Sequence, residues 1–107
     1  MNFKEHKVRI ILHKNFREDP VIIVRGTVID ENDKGILVSG RIFMKVIEEN
    51  KVLEKPIDDE TKLFYFPFTS IRFLEFVIPG SRFENLHKRI LKESPLQSSQ
   101  INREGAF

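Results

Sequence analysis

Val21-Ile22-Ile23-Val24-Arg25-Gly26-Thr27-Val28-Ile29, Asp30-Glu31-Asn32-Asp33-Lys34-Gly35 and Ile36-Leu37-Val38-Ser39-Gly40-Arg41-Ile42-Phe43-Met44-Lys45-Val46-Ile47 follow one another without a break and decide the fold. The first run is β-branched and reads as a strand. The second is rich in turn formers, and its final Gly can take positive φ, as in four- or five-residue hairpins. In the third, Ile36, Val38, Gly40, Ile42, Met44 and Val46 share one phase, while Ser39, Arg41 and Lys45 fall in the other. That is the period-2 pattern of a half-buried strand. Gly26 and Gly40 sit inside strands, where a missing side chain permits a bulge or a sharp bend.

Working outward, Val8–Leu12 is a short β-branched strand, separated from Val21 by the polar break His13–Pro20. Downstream, the acidic stretch 48–60, with Pro56, reads as a loop or the tip of a ragged hairpin. Thr61–Phe66 and Ile71–Ile78 follow as strands, broken by Pro67-Phe68-Thr69-Ser70. Five strands with short connections and no crossover helix predict a mainly β, strongly bent antiparallel meander, a small and partly open five-stranded barrel over residues 1–80. Pro79-Gly80 ends the last strand, and Ser81-Arg82-Phe83-Glu84 reads as a capping box. Phe83, Leu86, Ile90 and Leu91 make a helical stripe opposed by Arg82, Lys88, Arg89 and Lys92, so residues 81–93 are predicted to be a C-terminal helix packed by Phe83, Leu86 and Ile90. Residues 94–107 are expected to be a flexible tail.

The chain has 107 residues, enough for one domain and one core. Its lack of cysteine excludes disulfide scaffolds, thiolate zinc sites and thiol nucleophiles. Net charge is only +2, a field too weak to demand a polyanionic partner, yet residues 48–60 alone hold six acids against two lysines. No run of about 18 apolar residues suggests a membrane span, and the first residues lack a secretion-signal core, so the expectation is a cytoplasmic protein away from the membrane. Five of the ten Phe crowd residues 64–76. Leu63, Phe64, Tyr65, Phe66 and Phe68 are apolar in both phases, so one side of a strand cannot hide them all. An apolar edge strand invites pairing with another chain. A partner subunit or the C-terminal helix can cover it; because the helix stripe supplies only four apolar residues, Leu63, Phe64, Tyr65, Phe66 and Phe73 are the candidate interface of a homo-oligomer.

With these elements in this order, Val8–Val77 resembles the Sm/Lsm-like fold, which includes the host-factor-type RNA chaperones. The features that carry the resemblance are the short first strand, Gly26 midway along the second, the acid- and Asn-rich turn ending in Gly35-Ile36-Leu37-Val38, the long third strand, and the compact Leu63–Ile71 segment. The resemblance implies rings of six or seven subunits, joined by the fourth strand of one subunit and the fifth of the next. It also implies single-stranded, U- or A-rich RNA bound around the pore. Counting from Gly26, the family's Asp position falls on Asn32 and its base-contacting Asn on Ile36. The last-loop pair corresponds to Pro67-Phe68-Thr69-Ser70, which holds neither Arg-Gly nor Lys-His. A C-terminal helix replaces the family's N-terminal one.

Aromatic side chains stack bases and Lys or Arg tracks phosphates, so Asn32, Asp33 and Lys34 of the turn, with Phe68, Thr69 and Arg72, are the candidate RNA-binding residues. Other chemistry has less support. His6 and His13 point to opposite faces of a strand and His87 lies on the helix, so no metal ligand set is expected. Asp58, Asp59 and Glu60 read as a solvated loop. No nucleophile elbow or phosphate-binding glycine spacing is present, so neither catalytic residues nor a cofactor are expected. The leading expectation is a non-catalytic, RNA-binding Sm-like oligomer. The alternative is a small-barrel protein-interaction module that takes up a strand from a partner.

Overall fold

Both arms of the central hairpin become long strands, and the rest of the sheet is laid against them. The computed structural model describes residues 2–93, so the tail expected over 94–107 lies outside the described residues. Six strands form: β1 (Lys7–Leu12), β2 (Ile22–Glu31), β3 (Gly35–Glu48), β4 (Lys51–Pro56), β5 (Lys62–Pro67) and β6 (Ile71–Phe76). One α-helix, α1 (Arg82–Leu91), follows among the described residues. Every ladder is antiparallel, in the order β4-β3-β2-β1-β6, with β5 also on β3.

The expected five strands are thus six, because the acidic stretch holds β4. Glu49 and Asn50 both take left-handed backbone (φ 51° and 64°), which is what a two-residue hairpin turn requires. That turn zips Lys51–Pro56 onto Glu48–Phe43. β4 and β5 then run in series along one edge of β3. Residues 57–61 bulge out between the pairs Phe43↔Pro56 and Gly40↔Lys62.

The sheet is curled. β5 and β6 lie on different edges, with β3, β2 and β1 between them, yet only the 3₁₀ turn Phe68–Ser70 connects them. A connection that short reaches about 14 Å at most, whereas those edges of a flat sheet would lie about 19 Å apart. No ladder joins β5 to β6 among the described residues, so the sheet stays open. Gly26 of β2 pairs directly with Gly40 of β3, and the β2–β3 register shifts between Val28 and Asp30. A Cβ on Gly26 would collide with the Ser39 carbonyl oxygen, and one on Gly40 with that of Arg25. Two glycines let β2 and β3 approach more closely than side chains allow.

Alternation sorts the side chains onto two faces. Val8, Ile10, Val24, Val28, Ile36, Val38 and Phe66 fill the inner core, with Phe3, Phe64, Phe68 and Phe76 packed against it. On the outer face, Ile23 and Phe43 meet Ile90, with Leu86 beside them, and this docks the helix. Ser81 caps α1 as expected, its Oγ accepting from the Glu84 N–H (3.3 Å). The Glu84 carboxylate accepts instead from the Gly80 N–H (3.0 Å) and pairs with Lys7 (2.7 Å), tying the helix start to β1. Of the expected stripe, Ile90 is buried and Leu86 half-buried, but Phe83 is 55% exposed. The most deeply buried helix residue is His87, at 1% exposure.

Candidate functional site

The turn between β2 and β3 is built on Asn32. Its Oδ1 accepts from the N–H groups of Lys34 (2.8 Å) and Gly35 (2.9 Å), and the Tyr65 hydroxyl donates to it at 3.4 Å. The Phe68 N–H donates to the Lys34 carbonyl at 2.8 Å, fastening the 3₁₀ turn to the hairpin turn. An open cavity of about 600 Å³ lies between them, lined by Phe3, Glu31, Asn32, Asp33 and Phe68. The Phe3 and Phe68 rings are 5.8 Å apart. Glu31 Oε1 accepts from the N–H groups of Phe3 and Lys4, which holds the N-terminal segment here.

The sequence-derived candidates therefore divide. Asn32, Asp33, Lys34 and Phe68 come together, and exposed Thr69 sits beside them in the 3₁₀ turn. Arg72 lies further along, on β6, with its guanidinium 5.3 Å from the Phe73 ring centre, and it does not line the cavity. Phe68 is half-buried against the core and offers only part of its ring for stacking. Exposed Asp30 and Asp33 bring negative charge to the mouth, against the exposed cations Lys4 and Lys34.

The apolar residues of β5 divide by phase. Phe64 and Phe66 turn inward and stack at 5.6 Å, whereas Leu63 (66% exposed) and Tyr65 (50%) face out. Phe73 is 54% exposed on β6, at the other edge of the sheet. Among the described residues β5 pairs only with β3 and β6 only with β1, so each keeps one side of its backbone unpaired. The described sheet thus has two unpaired edges, each with large exposed apolar side chains beside it.

A third cluster was not legible as such. Arg9, Arg25 and Arg41 stand directly opposite one another on β1, β2 and β3. Like charges so placed repel, and the row is answered by a carboxylate shared between Arg9 and Arg25 and by backbone carbonyls at Arg41. Glu54 of β4 takes Arg25 with both oxygens (2.7 and 3.1 Å) and also accepts from Arg9 (2.9 Å), which reaches Glu75 as well (3.1 Å). Burial alone would raise the Glu54 pKa, but Arg25 and Arg9 together hold it below the usual carboxylate value. Arg25 also donates to His87 Nδ1 at 2.9 Å. Arg41 donates to the carbonyls of Leu91 (2.6 Å), Glu93 (2.7 Å) and Asp58 (2.6 Å), clamping the end of α1 to the 57–61 bulge. The signal in sequence was an arginine in the middle of each of three apolar strands, in the phase normally given to solvent.

Beside this cluster, a cavity of about 450 Å³ opens between the end of β6 and the start of α1. Among the described residues no three His, Asp or Glu side chains converge as metal ligands, and no helix is long and apolar enough to cross a membrane. The chain matches no family model, no curated protein and no solved structure.

Proposed function

We propose that the protein is an Sm-like, non-catalytic oligomer whose curled sheet acts as a small open barrel and which binds single-stranded RNA at the mouth formed by Asn32–Lys34 and Phe68–Thr69. In this reading β4 and β5 together occupy the place of the family's fourth strand, interrupted by the 57–61 bulge, and β6 that of its fifth. The observation that carries it is the pair of unpaired edges. β5 and β6 are joined by one 3₁₀ turn yet border opposite sides of the sheet, with Leu63 and Tyr65 exposed on one and Phe73 on the other. Pairing the β5 edge of one copy with the β6 edge of the next satisfies both backbones and covers those side chains. Successive copies then close into a ring of six or seven.

The RNA half of the reading is tested by titrating labelled U- and A-rich oligonucleotides at low salt. Salt-sensitive binding is expected. The absence of binding up to about 100 µM, weak even for non-specific contacts, rules that half out. Asp30, Glu31 and Asp33 at the mouth favour a second reading, an assembly module without RNA, because phosphates meet carboxylates there. Under that reading the same edges capture a strand from another protein.

A further inference from the structure

A mainly apolar cavity opens at the start of α1. Phe76, Val77 and Leu86 line the 450 Å³ cavity together with Arg9, Arg25 and Glu75, while Ile78 and Phe83 stand at its mouth, 65% and 55% exposed. A second hollow of about 360 Å³ continues along the same helix, sharing Phe83 and Leu86 and flanked by Arg82 and Arg89. Both arginines are exposed, and neither forms an ion pair among the described residues. The groove therefore has a mainly apolar floor, with Arg9 and Arg25 beneath it and Glu75 at its side, and a cationic rim at Arg82 and Arg89.

A segment of complementary chemistry exists in this same chain. In the 57–61 bulge, Ile57 is 48% exposed, and the carboxylates of Asp59 and Glu60 are exposed and form no ion pair among the described residues. The bulge is held in one shape. The Ile57 N–H donates to the Ile42 carbonyl (3.0 Å), Arg41 holds the Asp58 carbonyl, and Asp58 pairs with Lys62 (3.0 Å). It cannot fill its own groove. Arg41 fixes it at the C-terminal end of α1, whereas the apolar cavity that would take Ile57 opens at the N-terminal end of this 10-residue helix, most of its length of about 15 Å away.

We propose that the 57–61 bulge of one copy docks into the groove between β6 and α1 of the next, with Ile57 entering the apolar floor and Asp59 and Glu60 meeting Arg82 and Arg89. This rests on the edge-pairing reading above. The bulge leads directly into β5, and β6 leads directly into Val77-Ile78. An antiparallel β5–β6 pairing, like every ladder within the sheet, sets the start of β5 beside the end of β6 and so brings bulge to groove. The contact is head-to-tail, the kind that closes into a ring when the rotation permits. Its residues lie in the bulge and the C-terminal helix, outside the edge pairing itself.

Charge reversal tests it. Arg82→Glu/Arg89→Glu in one protein and Asp59→Lys/Glu60→Lys in another alter only exposed side chains, with folding checked by thermal melting. At low salt each alone is expected to weaken self-association about tenfold or more, measured as molar mass by light scattering over a dilution series. Mixing the two proteins restores charge pairing wherever the variants alternate, so it is expected to return the wild-type mass for a ring of six and a neighbouring even-numbered assembly for a ring of seven. Reversed proteins that keep the wild-type mass, or a mixture that stays dissociated, overturn the docking. Phe73→Lys, on the β6 edge, separates the two ideas. If it dissociates the assembly while the charge reversals do not, edge pairing stands and the docking falls. A wild-type protein that is monomeric throughout removes edge pairing itself, and the docking with it.

Discussion

Arg25 of β2 donates through Nη1 to Nδ1 of His87, 2.9 Å away on α1, in a contact buried between sheet and helix. The geometry fixes the tautomer. Nδ1 must carry its lone pair, so the proton sits on Nε2, which is buried without a partner. A doubly protonated ring here would aim an N–H at a guanidinium. Burial first, then the charges of Arg25 and Lys7, lower the imidazole pKa to about 4, against the opposing pull of Glu54 and Glu84.

Acid should therefore loosen the helix. Between pH 6.5 and about 4 the unfolded chain takes up a proton that folded His87 refuses, so stability is complete above pH 6.5 and declines as pH falls, by about 3 kcal/mol at pH 4. Glu84, held near 2 chiefly by its hydrogen bond from Lys7 and then by the Gly80 N–H, extends the loss. Its contribution is present above pH 4.5 and disappears towards pH 2. His87→Asn keeps an acceptor for Arg25 and removes the titration. Urea midpoints at pH 7 and 4.5 should differ clearly for the wild type and much less for the variant; equal wild-type midpoints contradict the assignment.

Glu54 neutralises two arginines from a side chain only 12% exposed. Glu54→Gln leaves those cations without their shared counter-charge and should cost about 3–5 kcal/mol. Replacing Glu54 and Arg25 together by Leu and Met should recover part of that loss. Urea unfolding of both variants decides, and a Gln variant within about 0.5 kcal/mol of wild type shows the cluster to be solvated.

Gly26→Ala and Gly40→Ala each drive a methyl group into the opposite backbone. Each should cost about 1–3 kcal/mol or more by overpacking. The double variant should cost less than the sum, because both strain the same strand pair. Calorimetric melting of the three proteins tests this.

Phe83 and Ile90 should separate sharply. The sequence stripe gave them equal weight, but Phe83 is 55% exposed and Ile90 9%. Phe83→Asp should change stability by less than about 1 kcal/mol, whereas Ile90→Ala should cost about 2–5 kcal/mol. Equal losses in thermal unfolding would mean that Phe83 is buried within the monomer.

Much of the fold was legible because local pattern and tertiary role agree. The phases of Ile36–Ile47, the Ser81 cap and the strand glycines all point one way, but the expected interface on β5 is only half exposed, because Phe64 and Phe66 face the core and only Leu63 and Tyr65 face out. β4 escaped because its turn is Glu49-Asn50, without the glycine that usually marks such a turn, and its acids look like a solvated loop. The arginine row and His87 escaped for a different reason. Period-2 alternation says which residues share a face, not what covers it, and here a helix and Glu54 take the place of water. In the candidate mouth, Asn32–Lys34 and Phe68 converge because the β2–β3 and β5–β6 turns meet at one end of the curled sheet, where the Phe68 N–H donates to the Lys34 carbonyl. Arg72 misses that group because it already belongs to β6.

The molar mass of the wild-type protein in solution tests the central claim most directly. Pairing of the β5 and β6 edges predicts six or seven copies of the 12.6 kDa chain, about 76–88 kDa, by light scattering, and a shift towards monomer in Phe73→Lys. A wild-type mass near 12.6 kDa at every concentration would contradict it.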